Sequence, residues 1–219
     1  MHNWNVYDTF DHASKAAADY IAFLIREAIQ NNGLCHVVLP GGNSPKACLE
    51  YLSAETIPWE KVHWYLGDER CSPVGHPDRN DRMLSEVLWS WITATNIHPV
   101  QAELGAEAAA ESYRKLVDQV DVFDVVFLGL GEDGHTASLF PGNQALNDPR
   151  SVVPVHHSPK PPADRVSLGL STLKNAAKRV ILSGGPGKAE IILRIKSGEE
   201  LPVNLLGDIE WFIDQQASG

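Results

Sequence analysis

Cysteine is scarce in this chain and poorly spaced for structural use. The three residues, Cys35, Cys48 and Cys71, form neither a CxxC pair nor a Cys/His ligand pattern. That excludes a disulfide framework or zinc site as the basis of the fold and points to free thiols in a reducing compartment. Basic charge is also short: 18 Lys and Arg stand against 28 Asp and Glu, a formal charge of -10. A broad nucleic-acid or anionic-membrane surface is thereby excluded, while a local basic pocket for one small anion is not. No apolar run reaches membrane-spanning length, and residues 1–12 have neither a basic nor an apolar leader segment. The expectation is a cytoplasmic protein with neither nucleic acid nor a membrane as partner. Repeats, low-complexity tracts and linkers are absent too, so the 219 residues are expected to form one domain, 1–219.

What the chain does contain is a series of apolar runs that end in glycine and charge. The run 122–128 is rich in β-branched and aromatic residues, as a strand buried on both faces of a parallel sheet reads. Gly129 and Gly131 break it, Asp133 and His135 follow, and 136–140 has the length of a short helix stopped by Pro141-Gly142. Such a junction delivers polar side chains to the carboxyl edge of a sheet, where open α/β folds bind ligands. Asp133 is therefore either a helix N-cap or a functional carboxylate, and His135 either a structural histidine or a proton carrier near neutral pH.

The same pattern recurs along the chain. A helical stripe over 13–30, closed by Asn31-Asn32-Gly33, precedes the strand 35–39, which runs into Gly41-Gly42-Asn43-Ser44. A helix is expected over 46–52, with Ser44 as N-cap and Pro45 at its first position. Strand, glycine turn and helix start together suit a phosphate, although the loop has neither a P-loop lysine nor a GxGxxG pattern; the other reading is a tight turn. Strand 62–66 ends in Gly67-Asp68-Glu69-Arg70, which is either a solvated turn or a site where Arg70 offers a fork to an anion and the carboxylates move protons or orient neighbours. A loop over 71–79 follows. Asn80 then caps a helix with an apolar face of Met83, Leu84, Val87, Leu88 and Trp91. Beyond a helix over 106–120, strand signals recur at 152–155, 165–169 and 179–182, with a short helix over 173–177 between the last two. Lys188 sits at a last glycine-rich strand-to-helix junction, either as a solvated lysine or as an anion ligand. For 211–213 periodicity leaves strand and helix open. Alternating elements imply an α/β fold with one doubly wound, mainly parallel sheet and helices on both faces.

Taken together, Leu39-Pro-Gly-Gly-Asn-Ser-Pro45, Trp64-Tyr-Leu-Gly-Asp-Glu-Arg70, the Gly-His-Thr-Ala-Ser-Leu-Phe-Pro-Gly segment ending at Gly142, the Arg165-Val-Ser-Leu stretch and Gly187-Lys188 resemble the successive signatures of 6-phosphogluconolactonases. These belong to the glucosamine-6-phosphate isomerase/deaminase-like superfamily. The resemblance implies hydrolysis of 6-phospho-D-glucono-1,5-lactone in the oxidative pentose phosphate pathway, without metal or organic cofactor, by a monomer or homodimer. It implies His135 and Asp133 as catalytic residues, with the imidazole kept neutral by a helix dipole. Substrate and phosphate fall to Gly41, Gly42, Asn43, Ser44, Asp68, Arg70, Arg165 and Lys188. The chain departs from the family pattern where Pro40 and Asn43-Ser44 replace Ser and Ser-Thr, and where Arg79 replaces the serine before Asn80. Sister isomerases and deaminases carry a glutamate five positions after the histidine, where this chain has Phe140, which can neither open a sugar ring nor move a proton. A non-catalytic sugar-phosphate sensor and a metal site at Asp68, Asp133 and His135 are the other readings of the same residues.

Overall fold

A computed structural model describes residues 2–219. In chain order the elements begin with strand β1 (His2–Tyr7), helix α1 (Phe10–Asn32), β2 (Cys35–Leu39), α2 (Lys46–Ser53), β3 (Val62–Leu66) and β4 (Asp68–Arg70). Next come α3 (Asn80–Leu84), β5 (Asn96–His98), α4 (Ala106–Val117), β6 (Val125–Leu128), β7 (Val152–Val155) and β8 (Arg165–Leu168). The chain continues through α5 (Leu170–Lys174), β9 (Lys178–Ser183), α6 (Ala189–Lys196), β10 (Ile209–Asp214) and α7 (Gln215–Ser218). Seven strands form a sheet in the order β1-β10-β9-β6-β2-β3-β5, with every described pairing parallel. The doubly wound α/β architecture is as expected from the alternation of elements. From β2 the chain builds outward through β3 and β5, then returns to the other side of β2 with β6. Their carboxyl ends therefore diverge and leave a crevice between them, the topological switch point of such sheets.

The strands flanking the crevice are the most apolar. All four residues of β6 are buried, as are all of β2 except His36, because both faces are covered. Helix α1 buries Ala13, Ala17, Ile21, Ile25 and Ala28 on one stripe. Thr9 accepts from His12 N at its start, and Gly33 in the left-handed conformation ends it. The run around Trp211 resolves as strand β10, where the Trp211 and Trp4 rings stack 4.5 Å apart.

Three features depart from the sequence-based expectations. Strand β1 has no counterpart among them: it is a polar edge strand whose asparagines hide its period, and it is fixed by parallel pairing to β10. Asp68-Glu69-Arg70 is a strand, β4, in a second, three-stranded antiparallel sheet with β8 and β7. Third, α3 passes into a π-helical turn over Ser85–Trp89, whose extra residue rotates the apolar face. Trp89 is buried in consequence, and Trp91, expected in the core, is 73% exposed. No described helix is long and apolar enough to cross a membrane.

The end of β3 is fixed from α4. The fully buried Tyr113 hydroxyl accepts from Leu66 N at 2.9 Å and donates to Leu66 O at 3.1 Å, directly before the turn into β4. Tyr113→Phe strands two buried backbone groups and is expected to cost roughly 1–3 kcal/mol. Urea unfolding checks this: the midpoint should fall with the slope unchanged, and an unaltered midpoint would show that Leu66 finds other partners.

Candidate active site

Gly67 carries the chain from one sheet to the other. Its N–H donates to Leu39 O at the end of β2 (2.9 Å), and its carbonyl accepts from Leu168 N at the end of β8 (2.8 Å). Beyond it, alternation along β4 puts Asp68 and Arg70 on one face and Glu69 on the other. Glu69 is fully buried and accepts from Arg70 N, Asn80 N and Asp81 N at 2.8, 2.8 and 2.9 Å. Burial pushes its carboxyl up to about 7 against the pull of those three N–H groups. Glu69, rather than Asn80, thus caps α3. Asn80 is the first helical residue, and its amide donates to Asp68 O (2.8 Å) and Oδ1 (3.3 Å). Its other face lies against Gly41, where an added Cβ would sit 1.8 Å from Asn80 Oδ1, so only glycine fits there.

On the other face, antiparallel register sets Arg70 opposite Arg165 and Asp68 opposite Ser167. Like charges directly opposite are unfavourable unless something satisfies them. Arg70 Nη1 donates to Asp78 O at 2.6 Å, while its Nε is buried without a partner. Asp68 Oδ2 accepts from Ser138 Oγ at 2.5 Å, so this carboxylate orients neighbours rather than standing free. Lys188 is carried by a turn whose Gly185 N donates to the buried Asp214 carboxylate (3.0 Å), and its ammonium donates to Leu130 O at 2.7 Å. Burial pulls the Lys188 ammonium below its ordinary value. At the end of β2, Gly42 is left-handed, and the N–H groups of Gly42, Asn43 and Ser44 donate no hydrogen bond among the described residues. Contrary to expectation, Ser44 does not cap α2. Pro45 holds the cap position with no side-chain bond, and Ser44 lines the crevice.

The expected short helix over 136–140 does not form. Ala137 has a positive φ of 49°, and Thr136 and Leu139 make an isolated bridge around the turn. Gly131 N donates to His135 O at 2.8 Å and Gly134 N to Gly131 O at 3.1 Å. This tight turn brings Asp133 and His135 side by side, which a helix would not do. Asp133 Oδ1 accepts from His135 N at 3.2 Å and lies in close hydrogen-bond contact with His135 Nδ1. A Cβ on Gly131 would fall 2.0 Å from His135 Nδ1. With Nδ1 bound to a carboxylate, Nε2 is left as the free acceptor. Burial lowers the His135 pKa, outweighing the hydrogen bond and charge of Asp133 that raise it, so burial and not a helix dipole keeps the imidazole neutral. Burial alone would raise the Asp133 carboxyl, but His135 holds it below its ordinary value. The Phe140 ring packs 4.4 Å from the His135 ring.

A cleft of about 290 Å³ at the switch point is lined by Gly41, Gly42, Asn43, Ser44, Asp68, Arg70, His135, Arg165 and Lys188. Asp133 stands behind His135 and not on the wall. Two residues that sequence reasoning did not single out join them: Lys160 on the wall, and Ser138, which ties the His135 loop to Asp68. Lys160 lies between prolines in Ser158-Pro-Lys-Pro-Pro162, just ahead of Arg165, and that setting was its one detectable mark. A larger cavity of about 580 Å³ lies beyond Phe140, beside Glu107, Arg150 and His156. Its charged groups pair with one another, and it holds none of the expected site residues. Among the described residues no three His, Cys, Asp or Glu side chains gather as a metal site.

The family described as glucosamine-6-phosphate isomerases/6-phosphogluconolactonase matches residues 8–211. A 6-phosphogluconolactonase of Synechocystis is 35% identical over 212 residues, covering 88% of this chain and 87% of that protein. One of Mycobacterium tuberculosis is 33% identical, covering 97% and 96%. The crystal structure of 6-phosphogluconolactonase from Thermotoga maritima superposes with a TM-score of 0.92 at 27% identity, covering 98% of this chain and all of that one.

Because Asp133 raises the His135 pKa, Asp133→Asn should move the imidazole midpoint still lower. NMR titration of the His135 ring reads this directly, and an upward or absent shift would mean the two side chains are not paired in solution.

Proposed function

The chain belongs to the family of glucosamine-6-phosphate isomerases and 6-phosphogluconolactonases, and from that footing we propose that residues 1–219 act as one lactonase unit on 6-phospho-D-glucono-1,5-lactone. The protein is thus a carboxylic ester hydrolase of the oxidative pentose phosphate pathway. The observation that carries this reading is the pairing, in one cleft, of a largely buried, carboxylate-held imidazole with four cationic side chains in a chain of formal charge -10. A lactone hydrolase needs a base for water, a home for the charge on the attacked carbonyl and a proton for the departing ring oxygen.

His135 Nε2 takes a proton from water as the water oxygen bonds to the lactone carbonyl carbon. Asp133 holds the ring in the reactive tautomer and steadies the imidazolium, which then returns the proton to the ring oxygen as the carbon–oxygen bond breaks. The products are a C1 carboxylic acid and a free C5 hydroxyl. The 6-phosphate is held by Arg70, by Lys188 and by the free N–H groups of the loop from Gly41 to Ser44 with the Ser44 hydroxyl, which fixes the lactone for attack. None of these steps calls on a metal or organic cofactor. We assign the protein to the cytoplasm on the strength of its free thiols.

The rival reading within the family is the isomerase and deaminase reaction. Phe140 argues against it: the ring is buried against His135, at the position where ring opening needs a carboxylate.

A coupled assay that generates the lactone enzymatically and follows its loss, with spontaneous hydrolysis subtracted, should show turnover. Failure to exceed the spontaneous rate, or ammonia release from glucosamine 6-phosphate, would sink the assignment. His135→Ala should lower kcat by roughly 10²–10⁴ with the fold intact, and near-normal turnover would remove His135 from the mechanism. Arg70→Ala should mainly raise KM for the phosphorylated lactone. Because burial lowers the His135 pKa and the neutral ring is the base, kcat/KM should climb from acid pH with a midpoint below 6.5 and be level by neutrality. A midpoint above 6.5 would contradict a buried, neutral base.

A further inference from the structure

The loop between β7 and β8 is held over the cleft by one side chain. Arg165, 4% exposed, donates from Nη2 to Lys160 O and Pro161 O, each at 3.0 Å, from Nε to Pro162 O at 3.2 Å, and from Nη1 to Ser138 Oγ at 3.4 Å. Its guanidinium also lies 5.5 Å from the Phe140 ring centroid. Every nitrogen of this guanidinium thus has a partner inside the protein, which suits it to hold backbone rather than to close on a phosphate. The loop adds its own ties: Ser158 Oγ donates to Lys160 O (2.8 Å), and Ser158 N donates to Ala163 O (2.9 Å). At its base, His156 bonds Asp164 (2.9 Å) and Glu107 (3.3 Å). All this ordering serves a stretch whose one cation, Lys160, is on the cleft wall, and its ammonium makes no hydrogen bond or ion pair among the described residues.

The cations of the cleft are not equivalent. Arg70 Nη1 and the Lys188 ammonium each donate to a backbone carbonyl, but the Lys160 ammonium does not. Lys160 is also the cation whose charge weighs most on the His135 imidazole. Lys160 shares the cleft wall with His135, and the anchor of its loop, Arg165, reaches Ser138 and the Phe140 ring that packs on His135, so the loop is fastened at the base's end of the cleft.

We propose that Lys160 stabilises the oxyanion formed on the lactone carbonyl, and that Arg165 is a positioning residue that holds Lys160 there rather than a ligand of the phosphate. The proposal rests on the lactonase reading. As water bonds to the carbonyl carbon and its proton passes to His135 Nε2, the carbonyl π pair moves onto the oxygen, which faces the Lys160 ammonium. Re-forming the C=O bond expels the ring oxygen, and that oxygen takes the proton back from His135. Such a donor acts mainly in the transition state, so its loss should appear in kcat.

The test compares Lys160→Met, Lys160→Arg and Arg70→Ala on the phosphorylated lactone and on unphosphorylated glucono-1,5-lactone. Lys160→Met should lower kcat by about 10²–10³ on both substrates with KM changed less than about threefold. Lys160→Arg should recover part of the loss, whereas Arg70→Ala should act on the phosphorylated substrate alone. Removing the lysine charge should also raise the acid-side midpoint of kcat/KM, because that charge lowers the His135 pKa. Lys160 is exposed, so an unchanged thermal midpoint verifies the fold. A raised KM with kcat preserved, or an effect confined to the phosphorylated lactone, would make Lys160 a phosphate ligand and overturn the proposal. An inactive wild type would sink the lactonase reading and this proposal with it; an active wild type with an unaffected Lys160→Met sinks the proposal alone.

Discussion

Two backbone hydrogen bonds at Gly67 join the sheets of this molecule, one to Leu39 and one from Leu168. They set the three-stranded sheet, with Asp68, Arg70 and Arg165, at a fixed angle above the carboxyl ends of β2 and β6. Without that junction the parallel sheet would still offer a crevice, but its cations would come only from flexible loops. With it, Arg70 and Arg165 stand on strands, and strands hold geometry better than loops do.

The second theme is order imposed before any ligand arrives. The Arg70 and Lys188 side chains each donate to a backbone carbonyl, Asp68 is held by Ser138 and Asn80, and His135 is held by Asp133. Each contact removes rotamer freedom that binding would otherwise have to remove. It also accounts for the buried polar groups around a small cleft, because most of them find a partner, with Arg70 Nε and Asn80 Oδ1 the exceptions beside it. The two cavities on either side of Phe140 show the same rule from opposite directions. In the larger one the charges neutralise one another; in the smaller one the cations outnumber the carboxylates.

The sequence was most legible where burial is most complete. The strands 35–39, 62–66 and 122–128 read as strands because both faces are apolar, and the polar residues at their ends could be read as one sheet edge. The fold class and the family followed from that pattern. Elements whose form depends on distant partners were not legible. The charged β4 is a strand only because β8 pairs with it, and β1 only because β10 does. Residues 136–140 have the composition of a helix, yet Ser138 is bonded into Asp68 and β8, and the backbone follows that anchor instead. Asn80 and Ser44 are good capping residues by type, but a carboxylate eleven positions away and a proline took those places. Lys160 carried no periodicity at all, since a lysine among prolines is ordinary until its loop is seen folded over the site.

The pairing of β1 with β10 has a consequence for the life of the chain as it is made. Asn3 and Glu210, hydrogen-bonded neighbours at the sheet edge, are 207 positions apart. Strand β1 is therefore made long before β10, the strand it pairs with, and its backbone groups wait until β10 is complete. A strand that waits so long for its neighbour is an open edge in the meantime, so the hazard lies in association before closure rather than in unfolding after it.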